Sequence, residues 1–282
     1  MVDFAAAFAP HIVINQGDLN PAGELLSFAY PTLFLPTTTR EPITRAHLLV
    51  DFADNFPALT LDHAALHGFM PEISRFRLDL GIRPEKTTPQ TRAAHGLSDD
   101  AFLITVAGSR LDKELTPAFC DMLAQVLDQA DNAHIVFVGG HAKLFGALQS
   151  KRDRITELAF NEDISSLLEL CDCYVNPPRV GAGRTAYLAA MELVPVLCTP
   201  EGDAAMAIGA EHALPDLEAI KQTLIALAND EPTRRVWRDR AKTIRDGIKA
   251  RPSGIADLLA SFEATRRAYV AAGARETAAV SS

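Results

Sequence analysis

No stretch of this chain reaches the ~18 consecutive apolar residues of a membrane-spanning helix. The opening residues, MVDFAAAFAP, have neither a basic n-region nor a long apolar segment, so they are not read as a signal peptide. Cysteine is scarce: Cys120, Cys171, Cys173 and Cys198 in 282 residues. Only Cys171 and Cys173 lie close together, and as alternating strand residues they would share one face. No Cys-x-x-Cys or nearby histidine pair supports a metal centre, so the thiols read as small buried hydrophobes in a reducing cytoplasm. The eight histidines are scattered, and there is no Asp-x-Asp motif. Positive charge is in deficit, with 27 Lys and Arg against 36 Asp and Glu and a net charge of -9. That argues against a polyanion-binding surface and a nucleic-acid partner, though not against a local basic pocket. No internal repeat of fixed period is found. What remains, 48% apolar residues and a mean hydropathy of +0.05, is globular composition with ample length for a core.

The most structured stretch is 171–200, CDCYVNPPRVGAGRTAYLAAMELVPVLCTP. Cys171–Val175 is short, apolar and β-prone, ending at Asn176-Pro177-Pro178. Val180-Gly181-Ala182-Gly183 is a glycine loop. Arg184–Leu193 has helical spacing, and Pro195–Cys198 returns to a strand. Strand, loop, helix, strand is a βαβ unit. A glycine loop at a helix N-terminus can hold a phosphate through unpaired N–H groups, but many βα turns carry glycine only to turn.

The rest of the second part alternates in the same way. Phe102–Ala107 reads as a buried strand and His134–Val138 as another. Ile155–Phe160 is a further candidate. Thr116–Ala130 reads as an amphipathic helix with Phe119, Met122, Leu123, Val126 and Leu127 inward, capped by Thr116-Pro117. Asp163 caps the helix Asp163–Leu170. After Pro215 the pattern is helical over Leu217–Ala228, Thr233–Lys249 and Gly254–Ala272. The first part is shorter. His11–Asn15 and Pro31–Pro36 read as strands around a helix at Gly23–Ala29, and Ala46–Asn55 fits a helix. The stretch 75–100 has prolines, threonines and charges with little apolar periodicity, and reads as a linker. The implied class is α/β, with a doubly wound, Rossmann-like parallel sheet in the second part.

Four segments of that second part resemble the donor domain of GT-B glycosyltransferases of the group 1, or family 4, kind. They are Ala107–Glu114 after the first strand, His134–Gly140, the Phe160–Ile164 segment with Leu170-Cys171-Asp172, and Asn176–Val196. The resemblance covers about Phe102 to Gly209 plus the helical C-terminus. It implies a GT-B-like division into a partial acceptor-side α/β domain at 1–85, a linker at 86–100, and a nucleotide-sugar-binding domain at 101–282. It places the start of the chain inside the acceptor domain. It implies transfer of a sugar from a nucleotide-diphosphate donor, with retention of configuration, to an acceptor that is a glycan, lipid or protein. Beyond the donor it implies no cofactor and no metal. A truncated or degenerate chain that binds a nucleotide sugar, or a partner glycosyltransferase, without turnover is the alternative. A sugar-nucleotide epimerase shares the fold, but the acid/base His–Glu sets expected of one are missing.

The residue roles follow from the same resemblance. Arg110 would pair with the donor diphosphate through its guanidinium fork, joined by Lys113; otherwise Arg110 pairs with Asp112 or Glu114. Gly108 precedes Arg110 at the strand end. Gly181, Gly183, Arg184 and Thr185 would form a second phosphate contact, Thr185 also offering a hydroxyl cap. Asn176 and Arg179 lead into that loop, and Arg179 and Arg184 add positive charge. Glu201 and Asp203 would touch donor hydroxyls, or Asp203 caps the next helix. Asp18 is the candidate carboxylate for acceptor activation. The positions where the family has two glutamates fall at Val180 and Leu188, and the glycine before its final Pro-Val is Leu193.

Overall fold

The computed structural model describes residues 7–17, 20–37, 42–51, 71–75, 90–250 and 254–280. By its contacts the chain divides into two units, one of residues 1–81 with 251–282 and the other of 82–250.

Among its described residues the first unit contains four parallel strands in sequential order, β1 (Val13–Gln16), β2 (Thr32–Leu35), β3 (Leu48–Asp51) and β4 (Glu72–Arg75). Helix α1 (Pro21–Leu26) joins β1 to β2; Asn20 accepts a bond from the Gly23 N–H as its N-cap. The region 46–55, expected as a helix, carries β3 instead, and two expected strands become four. All of Leu48–Asp51 is buried. A strand covered on both faces shows a continuous apolar run without alternation, which periodicity does not separate from a short helix.

The second unit holds a five-stranded parallel sheet: β5 (Phe102–Ala107), β6 (Ala133–Val138), β7 (Ile155–Leu158), β8 (Cys173–Val175) and β9 (Val196–Leu197), in the order β7-β6-β5-β8-β9. Its helices are α2 (Leu111–Glu114), α3 (Pro117–Gln129), α4 (Ile164–Leu168), α5 (Gly183–Met191), α6 (Asp203–Ile208), α7 (Leu217–Asn229) and α8 (Glu231–Lys249). All six residues of β5 are buried, and they alternate between two cores. Phe102, Ile104 and Val106 meet α3 and α7; Leu103 and Ala107 meet α5 and α6. The five residues expected on the inner face of α3 are all buried, and Thr116 caps it by accepting from the Phe119 N–H. Asp163 caps α4 through Ser166. The four cysteines are buried thiols, as expected.

Residues 90–100 fold onto this unit. Arg92 donates to the carbonyls of Leu170, Asp99 and Ala101 and pairs with Asp172 at 2.9 Å. Asp172 in turn accepts from the Leu103 N–H. The last helix, α9 (Ile255–Val280), makes its contacts within the first unit: Leu258 and Phe262 pack on Leu33, Leu48 and Val50. The Tyr269 ring meets His47 edge-on at 4.9 Å.

Candidate functional site

The order β7-β6-β5-β8-β9 runs outward in both directions from β5. The loops leaving β5 and β8 therefore diverge, and a crevice opens between them at the carboxyl ends of the strands. The first loop is Gly108–Arg110, leading into α2. The second is Asn176–Ala182, leading into α5. Between them lies a cavity of about 280 Å³, whose walls include Gly108, Arg110, Glu114, Arg179, Arg184 and Thr185.

Its floor is a closed polar network. The Arg179 side chain is only 5% exposed. It donates to the carboxylate of Glu114, to the Ala107 carbonyl at 2.5 Å and to Asn176 Oδ1 at 3.1 Å. Asn176 also accepts from the Tyr174 hydroxyl at 3.1 Å. Burial pushes that phenol up to about 12. Gly108 leaves room for this guanidinium: a Cβ there would stand 2.3 Å from Arg179 Nη1 and would have to displace it. Gly202 is fixed by backbone, with φ 92 and the Arg179 carbonyl 2.2 Å from where its Cβ would be.

The rim is more open. Arg110, 64% exposed, lies 2.8 Å from Glu114 Oε1 through Nη2 and 2.9 Å through Nε. Glu114 thus serves two arginines, one oxygen each. Across the crevice, Gly181 (φ 119) and Ala182 (φ 66) hold the left-handed backbone that starts α5. Ala182 is the N-cap and supplies no side-chain cap, so Thr185, the third helical residue, does not fill that role. The first N–H groups of α5 stand at the edge of the cavity that Arg184 and Thr185 line. Phe160, 71% exposed, and the buried Leu188 complete an apolar side.

Of the expected site residues, the structure brings Gly108, Arg110, Arg179, Arg184 and Thr185 to this cavity. Gly181 and Gly183 frame it: a Gly181 Cβ would lie 3.7 Å from Arg110 Nη2, and Gly183 packs on the backbone of Asp203. Asn176 is buried in the floor and accepts from Arg179. Lys113 and Glu201 are exposed and lie outside the cavity wall, and Asp203 is buried in the first turn of α6, whose N-cap is Gly202. Asp18 lies outside the described residues. Sequence reasoning gave Glu114 no role beyond pairing with Arg110. The signal available was its i+4 spacing from Arg110; its contact with Arg179, 65 positions on, left none. A second cavity, of about 470 Å³, lies in the first unit beside His11 and Phe262. Its charges Glu263 and Arg266 satisfy one another at 2.8 Å. Among the described residues no group of three or more His, Cys, Asp or Glu gathers to hold a metal, and no helix is long and apolar enough to cross a membrane.

No family model and no curated protein matches the sequence. Solved structures match it in fold. Over 96% of this chain and 76% of the other, it superposes on a sucrose-phosphate synthase from Thermosynechococcus elongatus with a TM-score of 0.68 and 14% identity. Over 92% and 80%, it superposes on Anabaena HepE in complex with UDP and glucose, with a TM-score of 0.64 and 15% identity. WaaG, a glycosyltransferase involved in lipopolysaccharide biosynthesis, matches over 70% of this chain with a TM-score of 0.54 and 20% identity. The chain spans 58% of the length of WaaG.

Proposed function

We propose, from the GT-B fold that this chain has, that the crevice between β5 and β8 binds the diphosphate of a nucleotide-diphosphate sugar and that the chain is a glycosyltransferase. One observation carries the reading. Arg110 and the N-terminus of α5, from loops on opposite sides of the strand-order switch, converge on one cavity. A guanidinium and a row of unpaired N–H groups are what a departing diphosphate requires, because both stabilise charge that grows as the glycosidic bond breaks. Gly108 and Gly181 let backbone approach the phosphates, and Arg184 and Thr185 add a cation and a hydroxyl. HepE, of the same fold, holds UDP and glucose. Retention of configuration, and acceptor activation by Asp18, rest on the family resemblance. Lys113, Glu201 and Asp203 stand as secondary contacts that a donor-induced rearrangement would have to recruit.

A second reading has its own support. Leu188, in the cavity wall, is 1% exposed and offers no hydrogen-bond acceptor. A chain that binds a nucleotide sugar without turning it over, alone or with a partner glycosyltransferase, fits that wall. Calorimetric titration with UDP and GDP tests what both readings share: saturable binding of at least one supports the crevice as a donor site. No binding of either at roughly millimolar levels removes it. Donor hydrolysis, assayed with and without candidate partner chains, then separates enzyme from binder.

A further inference from the structure

Arg110 and Arg179 reach the same carboxylate from opposite directions, and they differ in what else holds them. Arg179 is buried, with Asn176, the Ala107 carbonyl and Glu114 using its guanidinium. Little of it is left to offer a ligand. Among the described residues Arg110 has one partner, Oε1 of Glu114, which takes its Nε and Nη2. Its Nη1 has no hydrogen-bond partner among the described residues. An exposed arginine loses much rotamer freedom when it is fixed, and a prior anchor spends that entropy before the ligand arrives. Glu114 is itself anchored by Arg179, and Arg179 by Asn176, whose Oδ1 also takes the Tyr174 hydroxyl from β8.

We propose that Glu114 and Arg179 are positioning residues. The buried series Tyr174–Asn176–Arg179–Glu114 aims the Arg110 guanidinium toward the Gly181 loop, so that its outer edge meets an anionic phosphate. The inference rests on the donor-diphosphate reading above. It assigns Arg179 a supporting role, not direct phosphate contact. It also assigns Glu114, a carboxylate beside an anion site, a favourable effect on anion binding, because its charge acts through Arg110's orientation. A carboxylate that merely competed for Arg110 would do the reverse.

The test is a double-substitution cycle with UDP as the titrant: wild type, Glu114→Gln, Arg110→Ala and the pair, each checked by thermal unfolding. The expected result is that E114Q weakens UDP binding by about tenfold in the wild-type background and by less than about twofold when Arg110 is already alanine. Glu114→Asp keeps the charge but shortens the reach; it is expected to recover part of the affinity and guards against an E114Q chain that does not fold. Tighter binding by E114Q would overturn the proposal in favour of competition. An equal loss in both backgrounds would overturn it in favour of a general structural role. If wild type binds neither UDP nor GDP, the donor-site reading itself fails and this inference goes with it. Binding by wild type with no change in E114Q overturns the inference alone.

Discussion

The floor and the rim of the crevice use arginine to different ends. On the floor, Arg179, Glu114, Asn176 and Tyr174 are packed at low exposure, and their hydrogen bonds close on one another. On the rim, Arg110 and Arg184 are exposed, and α5 begins without a side-chain cap. A buried guanidinium without a partner is costly, so the floor has to be complete before any ligand arrives. An exposed one costs little, so the rim can leave donors open. The difference separates residues that make the crevice from residues available to what enters it.

Breaking the floor should have the largest effect. Arg179→Met leaves Glu114 partly buried with one partner fewer, and should lower the unfolding free energy by about 3 kcal/mol in denaturant titration. A change under ~1 kcal/mol would mean the floor is no more than a surface feature.

Cutting the rim should affect binding, not folding. Arg110→Ala should weaken UDP binding by about 1.5–3 kcal/mol, the usual worth of a hydrogen bond to a charged group. Its unfolding midpoint should hardly move, since an exposed ion pair contributes ~1 kcal/mol or less. A marked loss of stability would erase the distinction.

Alkaline titration probes the core of the second unit, where Cys171 and Cys198 are buried. Burial raises the thiols of Cys171 and Cys198 from 9.0 to about 11. The folded chain keeps these protons at a pH where the unfolded chain has lost them. Stability should therefore be fully present below about pH 9 and fall as pH rises toward about 11, by roughly 1.4 kcal/mol per pH unit for each thiol. Denaturation midpoints at pH ~8 and ~10 measure it, and a flat profile would contradict the burial.

The smallest effect belongs to the far end of α5, which controls for the near end. Leu193 has φ 62, and the helix closes through Leu193 N–H to the Ala190 carbonyl and Val194 N–H to the Ala189 carbonyl. This is a Schellman closure, whose left-handed residue is usually glycine. Leu193→Gly should stabilise by about 0.5–1 kcal/mol, the relieved strain less the entropy added to the unfolded chain. UDP affinity should not change; if it does, the two ends of α5 are coupled.

The glycine expected at position 193 by family likeness was legible as a departure, but its cost was not. Only the backbone angle shows that leucine occupies a conformation suited to glycine. The α/β alternation after residue 100 was plain in the sequence because β5 and β6 are short apolar runs between turn residues, and α3 repeats its apolar positions at helical spacing. The first unit was harder: β3 is buried throughout and shows no period of two. At the site, Arg110 and the glycine loop could be picked out because each follows a strand. Arg179 could be picked out as a cation but not as a buried one.

What the sequence determined by itself is local: which runs of the second unit are strands, which residues cap α3 and α4, and that glycine and arginine follow β5 and β8. Those choices depend on backbone propensity and on neighbours within a turn or two. The tertiary structure alone decided that β5 and β8 lie side by side, so that Glu114 stands between Arg110 and Arg179. It likewise decided which arginine is enclosed and which is free to bind. Burial and charge pairing arise from residues some 65 positions apart, and no local pattern encodes them.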